Sequence, residues 1–232
     1  KHVICESPVA LSGEECDELY EIAGKSGLIL MDAIKTAYST AYARMLLLIE
    51  SGAIGKVVSV DATCTSLRVN ENGDPDYYKT NWNSSCDWGP NAILPVFQLL
   101  GTKYKDIRII SSFADEDKDY DLFSKFDFTY DSAVATVKVG KGVKSEGELV
   151  VSGTKGYVYV PAPWWKTDYF EIRYENPADK KRYFYQLNGE GIRYEIVAFI
   201  KAIESGRVID MIPREVSRAI CEVVSSKNRI EI

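Results

Sequence analysis

Seven short segments between residues 107 and 186 alternate as half-buried strands do: 107–113, 123–130, 133–139, 148–152, 157–160, 169–174 and 181–186. A period of two places alternate side chains on opposite faces of a sheet, whereas a helix repeats every 3.6 residues. The joins are short and glycine-bearing, as in Gly140-Lys141-Gly142 and Gly153-Thr154-Lys155-Gly156, so successive strands turn straight back on one another. The series predicts one large, mostly antiparallel sheet. Two helical segments follow, 191–204 and 213–226, the first closed by Gly206, and both need an apolar surface to lie on. The fold class is therefore α+β, with helices on one face of a wide sheet. Val134, Thr136, Lys138, Tyr157 and Tyr159 alternate along the strands. A half-apolar face left without a helix predicts a homo-oligomer built through it.

The N-terminal residues follow a different pattern. HVIC at 2–5 and LILM at 28–31 are short apolar strands around a helix that runs from Ser12 to about Ser26. Ser12 and Glu15 form a capping box, and Gly27 ends the helix. Strand, helix, strand at this spacing is a βαβ unit with parallel strands. Such a unit is expected to be the tail of a parallel sheet whose other strands lie outside this sequence. Residues 40–51 then read as an amphipathic helix closed by Gly52, 56–65 as a strand with Val58, Val60 and Ala62 on one face, and 70–83 as a long polar loop.

Residues 81–101, NWNSSCDWGPNAILPVFQLLG, turn from a polar loop into a helix at Asp87. Ala92, Ile93, Val96, Phe97, Leu99 and Leu100 keep helical spacing, and Gly101 sits where a left-handed cap is expected. Asp87 and Asn91, four apart, share one face of the first turn. Two readings stand at this point. One is a plain helix start, with Asp87 as the N-cap and Pro90 in the first turn. The other is a ligand site: a carboxylate and an amide at the positive end of a helix, beneath Trp82 and Trp88.

A net charge of -6 without a basic stripe argues against a nucleic-acid partner. The clusters at 141–144 and 180–182 read as turns. Five cysteines without a C-x-x-C pair, and a single histidine, His2, leave no metal set to be expected. No apolar run reaches the length needed to cross a membrane, and no signal-peptide pattern opens the chain. Reduced thiols fit a cytoplasmic protein.

Several stretches in order resemble the Gfo/Idh/MocA family of NAD(P)-dependent oxidoreductases: HVICESPVALS at 2–12, IESGAIGKVVSV at 49–60, residues 87–101, GTKGYVYVP at 153–161 and GEGIRYEIVAFIKAIESG at 189–206. The resemblance implies that residues 1–35 are the C-terminal end of a dinucleotide-binding Rossmann domain. It makes residues 36–232 an α/β substrate-binding and oligomerisation domain. It also implies NAD or NADP as cofactor and a sugar- or cyclitol-like alcohol as substrate. Gly140, Gly142 and Gly147 do not fit G-x-G-x-x-G and lie in a hairpin. The glycine-rich cofactor motif is therefore missing, and the chain is expected to be a fragment of a longer polypeptide.

The family's Glu-Lys-Pro turn is Glu6-Ser7-Pro8 here, so the lysine beside the nicotinamide is gone and these three residues are left as the cofactor contact. The family's helix start, Asp-x-Gly-x-His or Asp-x-Gly-x-Tyr, is Asp87-Trp88-Gly89-Pro90-Asn91. Asn91 cannot exchange a proton as His or Tyr does, and Ala37 and Thr40 replace the family's Arg and Pro. Two repairs are open. Asp87 could serve as the base, or Lys35, which follows the second βαβ strand, could replace the lost lysine, although a solvated loop lysine is the simpler account of it. Trp82 and Trp88 are expected to line the substrate pocket, and Trp164-Trp165 to pack or to line it. The alternative function is a catalytically inactive relative that senses a ligand or acts as a scaffold.

Overall fold

The computed structural model describes residues 1–68, 77–114, 116–206 and 211–232. Strand β1 (Val3–Cys5), helix α1 (Gly13–Lys25) and strand β2 (Leu30–Asp32) come first, with β1 and β2 paired in parallel so that Cys5 sits opposite Asp32. Ser12 caps α1 by accepting from Glu15 N at 3.1 Å, and the Glu15 carboxylate reaches back to Leu11 N at 3.2 Å. The box thus closes one residue earlier than its usual form.

A short helical turn α2 (Lys35–Tyr38), helix α3 (Thr40–Glu50) and strand β3 (Val57–Thr65) follow. After them come the turn α4 (Tyr77–Thr80) and the long helix α5 (Ser84–Leu100). Of the polar 70–83 segment, residues 70–76 lie outside the described residues. The strand series is β4 (Asp106–Phe113), β5 (Asp121–Thr129), β6 (Val134–Gly140), β7 (Leu149–Gly153), β8 (Tyr157–Val160), β9 (Tyr169–Arg173) and β10 (Lys181–Phe184). Helices α6 (Ile192–Ser205) and α7 (Arg214–Val224) and a two-residue strand β11 (Ile230–Glu231) complete the chain.

One sheet takes nine strands in the order β10-β9-β8-β7-β3-β6-β5-β4-β11. Most neighbours are antiparallel; β3 pairs in parallel with β6, and β11 with β4. Strand β3, early in sequence, is inserted between β7 and β6 at the centre of the series. One face is apolar: Val60, Ala62, Phe126, Phe128, Val137, Val151, Val158, Phe170 and Ile172 are all buried. Helix α5 lies on β3, β5 and β6, and α3 lies by β9. Burying this face is the main source of stability, at roughly 25 cal/mol per Å² of apolar surface.

The opposite face carries Val134, Val150, Tyr157 and Tyr159 beside Thr136 and Lys138. It is mostly polar and aromatic, with Asp127 bonded to Lys125 and Thr136. Glu171 is buried there among Tyr169, Arg173 and Arg182. Burial works against its ionised form, but the hydrogen bonds from Tyr169 and Arg173 prevail and pull its carboxyl down to about 2. Alternation put the charged member of each pair outward, and pairing lets it stay there.

Two attachments hold the βαβ unit to the rest. Helix α1 packs on α7, where Asp17 accepts from both Arg214 and Arg218, and Ser217 of α7 donates to the buried Asp32 at 2.7 Å. Among the described residues no helix is long and apolar enough to cross a membrane, and no group of three His, Cys, Asp or Glu could hold a metal ion.

Candidate active site

A cavity of about 550 Å³ opens where the carboxyl ends of β1 and β2 meet the first turns of α5. Glu6 and Ser7 line it after β1, and Lys35 lines it after β2. Asp87, Trp88 and Asn91 come from α5, and Trp165 closes the opposite side.

Helix α5 begins one turn earlier than the sequence predicts, and the reason lies in its cap. The Asn83 side chain accepts from Cys86 N at 2.9 Å, and the Asp121 carboxylate of β5 accepts from Ser85 N at 3.1 Å. With those first-turn donors satisfied, Asp87 is not the N-cap and its carboxylate turns to the cavity. It meets the Lys141 ammonium at 3.1 Å, with Arg68 at 3.9 Å. Lys141 is only 5% exposed and also donates to the Trp82 carbonyl at 2.6 Å.

Asn91 follows one turn later on the same face. The Thr36 hydroxyl lies 3.1 Å from its amide oxygen position and 3.0 Å from the Trp165 carbonyl. One hydroxyl proton cannot serve two acceptors. The arrangement that gives Thr36 one donor and one acceptor role has the Asn91 amide nitrogen donating to Thr36 Oγ1, and Thr36 donating to Trp165. The Asn91 oxygen is then left as an acceptor for a ligand.

The Trp88 indole donates to Ser66 Oγ at 3.2 Å and its ring lies 5.0 Å from that of Trp165. Gly147 permits this: a Cβ there would come within 2.9 Å of the Trp165 ring. Lys35, half-buried, makes neither a hydrogen bond nor an ion pair with the described residues, although the Glu190 and Glu195 charges act on it.

No protein-family model matches the chain. Among curated proteins, the chain is 25% identical over 215 residues to trans-1,2-dihydrobenzene-1,2-diol dehydrogenase of Danio rerio, covering 89% of this chain and 63% of that protein. It is 36% identical over 63 residues to levoglucosan dehydrogenase of Pseudarthrobacter phenanthrenivorans, covering 27% of this chain and 16% of that protein. Among solved structures, KijD10, a 3-ketoreductase from Actinomadura kijaniata in complex with NADP and TDP-benzene, superposes with a TM-score of 0.84 at 17% identity, over 100% of this chain and 72% of that one. Levoglucosan dehydrogenase in complex with NADH and levoglucosan gives a TM-score of 0.81 at 19% identity, over 97% and 69%. The chain is similar in sequence to these dehydrogenases and shares the fold of these NAD(P)-bound structures.

The chain spans less than two thirds of the length of either curated protein. Of the positions singled out in its sequence, Glu6, Ser7, Lys35, Asp87, Trp88 and Asn91 share the one cavity. Pro8 is buried beneath it, joined to Ser7 by a cis peptide bond. Trp82 stands apart. It precedes the Asn83 cap, is 52% exposed, and lines a separate hollow with Tyr78 and Tyr120, so only its carbonyl acts on the site. The Trp164-Trp165 pair divides: Trp164 is fully buried with its indole N–H on the Thr63 carbonyl, and Trp165 faces the cavity.

Four further residues were missed in sequence. Thr36 carried no signal. Lys141 reads as a hairpin lysine, yet it holds Asp87. Glu195 in α6 is 6% exposed with one carboxylate oxygen lacking any partner, and burial pushes it up to about 7, Glu6 adding to the effect and Lys35 opposing it. Asp32, at the end of β2, is pushed up by burial to about 6 against the pull of Ser217 and Ser7. Ser7 is close enough to act on that carboxylate, but neither its hydroxyl nor Asp32 Oδ1 finds a well-formed hydrogen bond. That geometry leaves the Ser7 donor available.

Proposed function

We propose that the chain forms the substrate side of an NAD(P)-dependent oxidoreductase acting on a sugar- or cyclitol-like alcohol. The supporting observation is one cavity, at the carboxyl ends of two parallel strands, holding Ser7, Lys35, Asp87, Trp88 and Asn91 together. Ligands of parallel sheets bind at that edge. On this reading residues 1–35 end a dinucleotide-binding domain and 36–232 form the substrate domain.

The residues present suit only the nicotinamide end of the cofactor. Ser7 offers a buried hydroxyl without a good partner, fit for a carboxamide oxygen, beside Glu6 and above Pro8. A glycine-rich turn for the pyrophosphate is not among these residues, so that part of the cofactor falls to a segment outside them. The bound nicotinamide would supply the hydride acceptor. Lys35, with no side-chain partner among the described residues, is the group we assign to receive the hydroxyl proton as the carbonyl forms. Lys166, by contrast, is paired with Glu190 at 2.8 Å. Asn91, fixed by Thr36, and Asp87, fixed by Lys141, orient substrate hydroxyls. The Trp88 and Trp165 rings offer apolar faces to the C–H side of a sugar.

Titration of NADH and NADPH against the full-length gene product, then turnover of a panel of sugars and cyclitols with NAD⁺ or NADP⁺, tests this. The expected result is nucleotide binding and reduction, with Lys35→Met lowering kcat by about 10²–10⁴ while nucleotide binding persists. Failure of both nucleotides to bind sinks the reading. Binding without turnover of any polyol favours a ligand-sensing relative, which Asn91 in place of a proton-exchanging side chain would explain.

A further inference from the structure

The chain carries a net charge of -6, yet the cavity wall is cationic. Lys35, Arg68, Lys144 and Lys166 line it against Glu6, Asp87 and Glu190, and the buried Lys141 adds another cation behind Asp87. The surplus is concentrated at the end of β3. There Ser66 N donates to the Gly140 carbonyl at 2.9 Å, Arg68 N donates to the Lys141 carbonyl at 2.8 Å, and Leu67 bridges Gly142. Thr65 Oγ1 donates to the Ser145 carbonyl and accepts from Ser145 N. These bonds clamp the 140–145 loop onto the strand end, so Arg68 and Lys141 meet the Asp87 carboxylate and Lys144 lines the same cavity.

The three cations are not equally engaged. Lys141 is held by Asp87 and the Trp82 carbonyl. Arg68 is 3.9 Å from Asp87, the outer limit of an ion pair, with its guanidinium 5.9 Å from the Trp88 ring centre. Among the described residues, Lys144 has one long bond, 3.4 Å, to the Thr65 carbonyl. Glu6 and Glu190 belong to the wall that carries Lys35 and Lys166, where Glu190 is already paired. Clustered like charges raise the local potential until a counter-charge arrives, and Lys141, by engaging Asp87, leaves the outer two cations for that role.

We infer that this wall is an anion subsite, and that the substrate is a sugar or cyclitol bearing a carboxylate or a phosphate, gripped by Arg68 and Lys144 with its ring against Trp88. The inference rests on reading the cavity as a substrate site. Arg supplies a forked donor pair to a planar or tetrahedral anion and Lys a point charge.

Calorimetric binding of glucuronate, glucose 6-phosphate, glucose and inorganic phosphate to this chain tests it. Arg68→Gln and Lys144→Gln alter exposed side chains, so circular dichroism should stay unchanged. The expected result is an acidic sugar bound at least about tenfold more tightly than glucose. Either substitution should erase that preference, and added salt should weaken it. Whether glucuronate or the phosphate ester wins identifies the anion. Equal binding of acidic and neutral sugars, or a preference untouched by both substitutions, overturns the subsite, as does binding of none of the four. Binding of phosphate alone, lost in Lys144→Gln, upholds the subsite and sinks the sugar reading.

Discussion

The Asp32 carboxylate shows how much one buried group weighs. In an unfolded chain it would lose its proton near 3.8, whereas burial delays that loss in the folded chain to about 6. Between those values the folded state binds more protons, so folding stability falls as pH rises through the window, and this contribution is constant on either side. The shift is worth about 3 kcal/mol at most, since one unit is about 1.4 kcal/mol. Asp32→Asn never ionises, and its oxygen still accepts from Ser217. The variant should therefore gain stability over the parent as pH is raised from about 4 to about 7, by a few kcal/mol at most. Urea midpoints at both pH values measure the gain; a difference that does not change with pH would refute the assignment. No sequence pattern announced this group. Asp32 follows an apolar run and looks like its polar end, and only packing against α7 buries it.

Helix α5 shows where local patterning reads correctly and where it slips. The i, i+4 spacing of Asp87 and Asn91 gave their shared face, because helical geometry alone decides it. The start of the helix was misplaced because Asn83 and Asp87 are both good caps, and the choice fell to Asp121, 34 or more residues away along the chain and paired with Ser85 N. Strand β11 escaped notice for a similar reason: two residues carry no period, and only β4 makes them a strand. The same element couples function to stability. Asp87→Ala leaves the Lys141 ammonium buried with the Trp82 carbonyl and the Tyr120 ring but no counter-charge, at a cost of about 3–5 kcal/mol. Lys141→Met should cost less, because Asp87 is 30% exposed and keeps Arg68. In the double variant most of the loss should be recovered. Denaturant midpoints of the four proteins form the cycle. An Asp87→Ala protein as stable as the parent would remove Lys141 from its structural role. For turnover, Asp87→Ala therefore confounds chemistry with folding.

On the scale of the whole molecule, the succession of strands was readable because alternation and tight turns act locally, but the place of β3 was not. It joins the sheet between β6 and β7, a pairing made over long separations in sequence. Its position matters to the site: the end of β3 carries Ser66 and Arg68, and its neighbour β6 delivers the 140–145 loop. The same insertion makes the helix-free face broad and continuous. We propose that this face meets a second copy of the chain. Tyr157, Tyr159 and Arg173 stand together on it, with the Arg173 guanidinium 4.4 Å from the Tyr159 ring centre. Tyr and Arg are the residues interfaces favour, while the charges beside them are already paired within the sheet. Val150 lies near the middle of this face, opposite Asp61 on one side and Tyr159 on the other. Light scattering after size exclusion should give twice the mass of one chain for the parent. Val150→Arg should give a single chain with an unchanged melting curve, since the side chain points away from the buried core. A parent that stays single at every accessible concentration leaves the face to solvent, and its paired charges would then be sufficient cover for an open sheet.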